Sequence, residues 1–116
     1  MKLFLVFNNY LFIVLYIYYF EVIILEISFD ELFKMDSPNI IDIRSLEKYN
    51  DNHIPSAINV NYNELMSNPG KYLKKGFNYY IYCQRGITSK RVTEILRLYG
   101  YNVYSIIGGY EAYVLN

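Results

Sequence analysis

Residues 77–100, FNYYIYCQRGITSKRVTEILRLYG, decide the fold. The first seven, FNYYIYC, are aromatic or β-branched with one polar break, the composition of a strand buried on both faces. From Ser89 onward Val92, Ile95, Leu96 and Tyr99 fall at i, i+3, i+4 and i+7. That spacing predicts an amphipathic helix over 89–100, with Gly100 where a C-cap glycine belongs. A buried strand that runs through a short loop into a helix is half of a crossover unit, and sheets built from such units are parallel.

The same alternation continues on both sides. Upstream, VIILEI (22–27) reads as a strand. Ser28, three residues before Glu31, signals a capping box for a helix FDELFKM (29–35). NIIDIR (39–44) is a second buried strand, and Ser45 caps a short helix LEKYN (46–50). AINV (57–60) is a further strand, followed by the helix YNELM (62–66). NPGKYLKKG (68–76) reads as a turn-rich connector bordering the site, its Lys71, Lys74 and Lys75 a solvated charged face. Downstream, NVYSII (102–107) is the last strand, Gly108-Gly109 a turn and YEAYVL (110–115) a closing helix. The expected class is α/β, an open and mostly parallel sheet flanked by helices.

Residues 1–21 differ from this domain of residues 22–116. MKLFLVFNNYLFIVLYIYYF is apolar or aromatic after Lys2, broken only by Asn8 and Asn9. A bilayer needs about 20 apolar residues, and a membrane anchor is the preferred reading. A stretch outside the natural protein, through a wrongly assigned start, is the second. A packed extra helix or strand of a soluble domain is the third. The first alanine is Ala57, so no small-residue cleavage site follows the apolar run, which argues against a secretory signal. The domain is expected in the cytoplasm, whether or not residues 1–21 tether it. Lys2 favours a cytoplasmic N-terminus, while Lys34 and Arg44 pull the other way.

Composition removes several function classes. One cysteine excludes an internal disulfide, a CxxC redox pair and a thiolate-rich zinc site within one chain. One histidine, His53, argues against a histidine metal site. Eleven basic and eleven acidic residues give a formal net charge of zero, so nothing electrostatic points to nucleic acid. No cofactor or metal is expected.

Cys83 ends the apolar strand and stands immediately before the clearest helix. In an open α/β sheet, ligands bind beyond the C-terminal ends of the strands. Gly86 tolerates positive φ, so the loop can turn successive amides toward one point and form an anion nest. The helix start adds partial positive charge, and Arg85, Lys90 and Arg91 stand near it in sequence. Each effect favours thiolate over thiol. The plain alternative is a small buried residue that happens to end a strand. No acid or base partner is evident, which suits a reaction that needs little proton transfer at the cysteine. Sulfur transfer meets that demand: a thiolate attacks a sulfane sulfur and becomes a persulfide anion.

Three segments carry a family resemblance. IIDIRSLEKYNDNHIPSAINV resembles V-x-D-V-R … E-x-x-x-G-H-I-P-G-A-x-N-I, YCQRGITS resembles a C-x-x-G-x-(R/S/T)-S loop, and GYNVYSIIGGYEAY resembles G-(Y/F)-x-V-x-x-L-x-G-G-(F/Y)-x-A-W. In this order they make residues 22–116 similar to single-domain rhodaneses, which are sulfurtransferases. The resemblance implies a five-stranded parallel sheet, a persulfide on Cys83, and thiosulfate or another persulfide donor as substrate. The acceptor would be a thiol, cyanide or a sulfur-relay protein. Gln84, Arg85, Gly86, Ile87 and Thr88 match the loop whose amides surround the sulfur, and Ser89 would cap or open the helix. Thr88 stands where many members carry Arg, and Arg85 is expected to supply part of that charge. Asp42 and Arg44 match a supporting D-x-R pair, for which a structural ion pair is the plain alternative. His53 matches a turn histidine, Asn52 and Ser56 replace turn glycines, and Tyr113 replaces a tryptophan. Phosphatases of the same fold use C-x5-R, but the sixth residue after Cys83 is Ser89, and Lys90 and Arg91 come too late. The chain is therefore expected to be an enzyme, a sulfurtransferase, with a persulfide carrier or a non-catalytic membrane-tethered binding module as the alternatives.

Overall fold

A computed structural model of the chain describes residues 9–17 and 25–115. Five strands are present among them: β1 (Glu26–Ile27), β2 (Asn39–Asp42), β3 (Ile58–Asn59), β4 (Asn78–Tyr82) and β5 (Asn102–Ile106). They form one sheet in the order β1-β5-β4-β2-β3, with every neighbouring pair parallel. Residues 9–17 are helical (α1). The other helices are α2 (Phe29–Phe33), α3 (Leu46–Asp51), α4 (Tyr62–Ser67), α5 (Pro69–Tyr72), α6 (Ile87–Leu98) and α7 (Gly109–Leu115).

Side chains alternate across a strand, and β4 shows what that does here. Ile81 and Cys83 face one layer, packed with Val92 and Leu96 of α6 and Val103 of β5. Tyr80 and Tyr82 face the other, packed with Phe29 and Leu32 of α2 and with Ile106. A sheet covered on both faces needs strands without a polar side, and β4 has none in its last three residues. The central position of β4, between β2 and β5, puts its C-terminal end in the middle of the sheet edge.

Three helices start alike. Ser28, Ser45 and Asn61 each accept the amide three residues on, from Glu31, Lys48 and Glu64. Each such cap contributes about 1 kcal/mol. The structure shortens several expected elements. β1 begins at Glu26, and residues 22–24 of the expected strand lie outside the described residues. β2 ends at Asp42, because the Asp42 carboxylate accepts the Arg44 amide at 2.8 Å and turns the chain out of the sheet. The 68–76 connector contains α5, started by Pro69 at its first position, where a missing N–H costs nothing. α6 starts at Ile87 and not at Ser89: Gly86, at φ +92°, is its N-cap. Asn52 is extended at φ −167° and needs no glycine-like freedom, whereas Ser56 does adopt positive φ, at 69°.

The N-terminal helix α1 differs from the rest. Tyr10 through Ile17 are apolar or aromatic, and all of them are exposed. No described helix is long and apolar enough to cross a membrane.

Candidate active site

Cys83 follows β4 directly and is buried at 8% exposure. Its Sγ receives the amides of Gly86 at 3.1 Å and Ser89 at 3.3 Å, and lies 3.4 Å from the Ser89 hydroxyl oxygen. Burial pushes the thiol up. The Ser89 hydroxyl and the amides of Ser89, Gly86 and Arg85 more than offset this, and the net effect holds Cys83 below the ordinary thiol range. No carboxylate or imidazole among the described residues is hydrogen-bonded to the sulfur.

Two hydrogen bonds from α7 fix the first two peptide units of the loop. The Tyr110 amide donates to the Cys83 carbonyl at 2.9 Å, and the Glu111 amide donates to the Gln84 carbonyl at 3.0 Å. A peptide unit is planar and trans, so the N–H on its far side points the opposite way. With both carbonyls held against α7, the Gln84 and Arg85 amides face away from it. The close approach needs glycine on both sides. A β-carbon on Gly86 would lie 2.9 Å from the Gly108 nitrogen, and one on Gly109 would press on the Cys83 carbonyl and lie 2.8 Å from the Gly86 nitrogen.

An open pocket of about 430 Å³ leads to the sulfur, lined by Ile43, Arg44, Ser45, Lys48, Cys83, Gln84 and Thr88. That volume admits a small anion with room beside it for an attacking acceptor. The expected site residues thus separate into two groups. Gln84 and Thr88 line the pocket, and Ser89 lies fully buried in the first turn of α6, touching the sulfur but capping nothing. Arg85 and Ile87 instead line a second groove, with Glu26, Lys90, Arg91 and Glu94. Arg85 therefore lines the neighbouring groove and not the Cys83 pocket. The 68–76 connector does not line that pocket either: Lys71 lies over the Tyr72 ring and Lys75 over the Tyr101 ring.

The expected D-x-R pair is an ion pair and a bracket at once. Arg44 binds Asp42 through Nη2 at 2.8 Å, with Nε 3.1 Å from each carboxylate oxygen. It also donates to the Asn52 carbonyl at 2.7 Å and to Gln84 Oε1 at 3.4 Å, and its guanidinium lies 4.0 Å from the Tyr110 ring centroid. Burial works against the charge, and the Asp42 carboxylate overcomes it, so Arg44 stays cationic. Burial holds the Tyr82 phenol behind this pair far above its usual range, and Tyr82 accepts the Ile54 amide. His53 is structural: its Nδ1 lies 2.8 Å from the Tyr49 carbonyl, and its ring stacks on Tyr49.

Ile43, Ser45 and Lys48 are the pocket residues that sequence reasoning missed, and Lys48 is the charged one. A signal was available. α3 starts just beyond the C-terminal end of β2, the strand beside β4, so its first turn faces the same crevice. Asp42 already holds Arg44, which leaves Lys48 as the pocket cation with no carboxylate partner among the described residues.

Comparison with known proteins agrees with this geometry. A family model described as Rhodanese-like domain matches residues 28–116. The thiosulfate sulfurtransferase GlpE of Coxiella burnetii is 33% identical over 84 residues, covering 72% of this chain and 78% of that protein. The adenylyltransferase and sulfurtransferase uba4 of Ogataea parapolymorpha is 30% identical over 85 residues; the match covers 72% of this chain and 22% of that longer protein. Among solved structures, a rhodanese-like domain protein from Staphylococcus aureus superposes with a TM-score of 0.69 at 27% identity. That superposition covers 76% of this chain and 89% of the other.

Proposed function

We propose, from the premise that this chain belongs to the rhodanese-like domain family, that it moves sulfane sulfur through a persulfide on Cys83. The observation that carries the reading is the ring of polar groups on Sγ, the donating amides of Gly86 and Ser89 with the Ser89 hydroxyl 3.4 Å away, at the floor of a pocket with cationic walls. In the first half-reaction the Cys83 thiolate attacks the outer sulfur of thiosulfate. A new S–S bond forms, the old one breaks, and sulfite leaves with the bonding pair. In the second, a thiolate acceptor attacks the outer sulfur of the persulfide and Cys83 leaves as thiolate. Neither step needs a proton moved at Cys83, which fits a site without an acid or base on the sulfur. Mass measurement of the protein after exposure to thiosulfate is expected to show a gain of one sulfur atom on Cys83. A protein that gains sulfur only from a persulfide donor protein would be a relay carrier, and one that gains none from either would be a binding module.

Lys48 fills the role left by Thr88 at the closing position of the loop. Lys48→Gln is expected to raise the KM for thiosulfate roughly tenfold with kcat little changed, because one exposed cation acts mainly on ground-state binding of the anion. The effect should shrink as salt screens the lysine. A fall in kcat at constant KM would remove Lys48 from substrate binding.

Helix α1 supports a second part of the proposal, in which residues 1–21 tether the domain to a lipid bilayer. A helix apolar on every side has no polar face to give to water, and Tyr10 through Ile17 are all exposed. The full chain is expected to sediment with membranes and to be released by detergent, whereas a chain beginning at Val22 should stay in the supernatant. Equal partitioning of the two would exclude the tether.

A further inference from the structure

The layer between α6 and the sheet contains hydroxyls where an apolar core is the rule. Ser89 is fully buried and Ser105 of β5 is 1% exposed. Their Oγ atoms lie 2.7 Å apart, and Ser89 Oγ lies 3.4 Å from Cys83 Sγ. The two side chains and the sulfur thus form a chain of three polar atoms with two links.

Proton counting gives this chain a direction. A serine hydroxyl brings one proton. With Cys83 as a thiol, three protons share two links, and one of them has no place in the chain. With Cys83 as a thiolate, two protons fill two links: Ser105 donates to Ser89, and Ser89 donates to the sulfur. The reverse orientation between the serines would leave the sulfur without the Ser89 proton, and would leave the buried Ser105 proton without a partner among these three atoms. An unpaired buried donor is costly.

We infer that Ser105 is a positioning residue, whose hydroxyl holds the Ser89 hydroxyl aimed as a donor at the Cys83 sulfur. The inference rests on Cys83 being the sulfur-carrying nucleophile. The relay acts when the sulfur bears the charge, as the attacking thiolate in the first half-reaction and as the leaving group in the second. Ser105 touches neither substrate nor sulfur and works only through Ser89.

Other charges lie in or around the site as well. Arg44 and Lys48 line the pocket, with Asp42 holding Arg44. Arg85 lies on the loop, Arg91 and the Lys90–Glu26 pair on the α6 side, and Glu111 on α7. Serine-to-alanine variants leave all of these in place, so differences among the variants report the hydroxyls.

The test is the pH profile of Cys83 alkylation by iodoacetamide in the full chain, which needs no sulfur transfer and so can fail separately from the proposed function. At about pH 6, where the rate follows the thiolate fraction, Ser89→Ala is expected to react roughly tenfold more slowly than wild type. Ser105→Ala is expected to react roughly threefold more slowly, since a weaker Ser89 donor remains. The double variant should match Ser89→Ala alone, because Ser105 has nothing left to position. At about pH 10 all four rates should converge, which separates ionisation from access. Should Ser105→Ala fail to fold, Ser105→Gly reads the same quantity. Wild-type rates for the Ser105 variant at both pH values would overturn the inference. So would a double variant slower than Ser89→Ala by the same threefold.

Discussion

Cys83→Ser is expected to reduce thiosulfate-dependent sulfur transfer to the uncatalysed background while leaving the fold intact. The substitution changes one atom at a position 8% exposed, and a hydroxyl can take the same amides from Gly86 and Ser89. What it loses is the nucleophile. A serine hydroxyl stays protonated at neutral pH without a base beside it, and no base is hydrogen-bonded to this position among the described residues. Turnover of thiosulfate by Cys83→Ser at more than background would sink the assignment of Cys83 as the sulfur carrier. The same pair of proteins carries a pH signature. The donors around Sγ hold the folded thiol below its unfolded value. The thiolate therefore adds stability that is fully present above the unfolded thiol pKa and is lost as pH falls through the folded one. The melting-temperature advantage of wild type over Cys83→Ser should accordingly grow from neutral toward alkaline pH.

Gly109→Ala has the second-largest expected effect, although residue 109 touches no substrate. Its β-carbon would fall against the Cys83 carbonyl and 2.9 Å from the Gln84 carbonyl carbon, both backbone and unable to swing aside. Gly109 also sits at φ +61°, where an L side chain costs about 1–2 kcal/mol. Relief requires the Cys83 loop and α7 to part, which breaks the bonds from Tyr110 and Glu111 that fix the start of the loop and displaces Gly86, whose amide donates to the sulfur. Persulfide formation is expected to fall roughly 100-fold, the scale of losing one preorganised donor at a reacting anion. Stability should fall by about 2–4 kcal/mol, strain and overpacking together. Gly76→Ala is the control: its φ is +91° but no atom lies within 4 Å of the added carbon. It should show the conformational cost alone and full activity. Equal activity losses at the two glycines would remove the cradle from the explanation.

Much of this arrangement was legible in the sequence because periodicity reports burial. The two-sided apolar runs NIIDIR and FNYYIYC and the helical spacing of Val92 and Leu96 were enough for a parallel sheet with covering helices, although the expected stripe was only half right: Tyr99 is 65% exposed, and α6 buries Ser89 and Thr93 beside Val92 and Leu96. The runs also placed Cys83 at a strand end. What was not legible depended on single dihedrals and side-chain directions. The start of α6 could not be read, because Ser89 has the composition of a cap while the helix begins after Gly86, which enters it in a left-handed conformation without a side-chain cap. The placement of the cations was not legible either: Arg85 stands close to Cys83 in sequence but lines the neighbouring groove, whereas Lys48 is remote in sequence and lines the pocket. The partner of Ser89 was invisible for the same reason: Ser105 is sixteen residues away, and only the register of β5 against β4, which pairs Ser105 with Ile81, brings it beneath the loop.

The two carbonyl bonds from α7 also tie the site to the last helix described. Without Tyr110 and Glu111 the Cys83 and Gln84 carbonyls lose their amide partners. A chain truncated before residue 110 would keep Cys83 and α6 but not the contacts that fix the start of the loop between them.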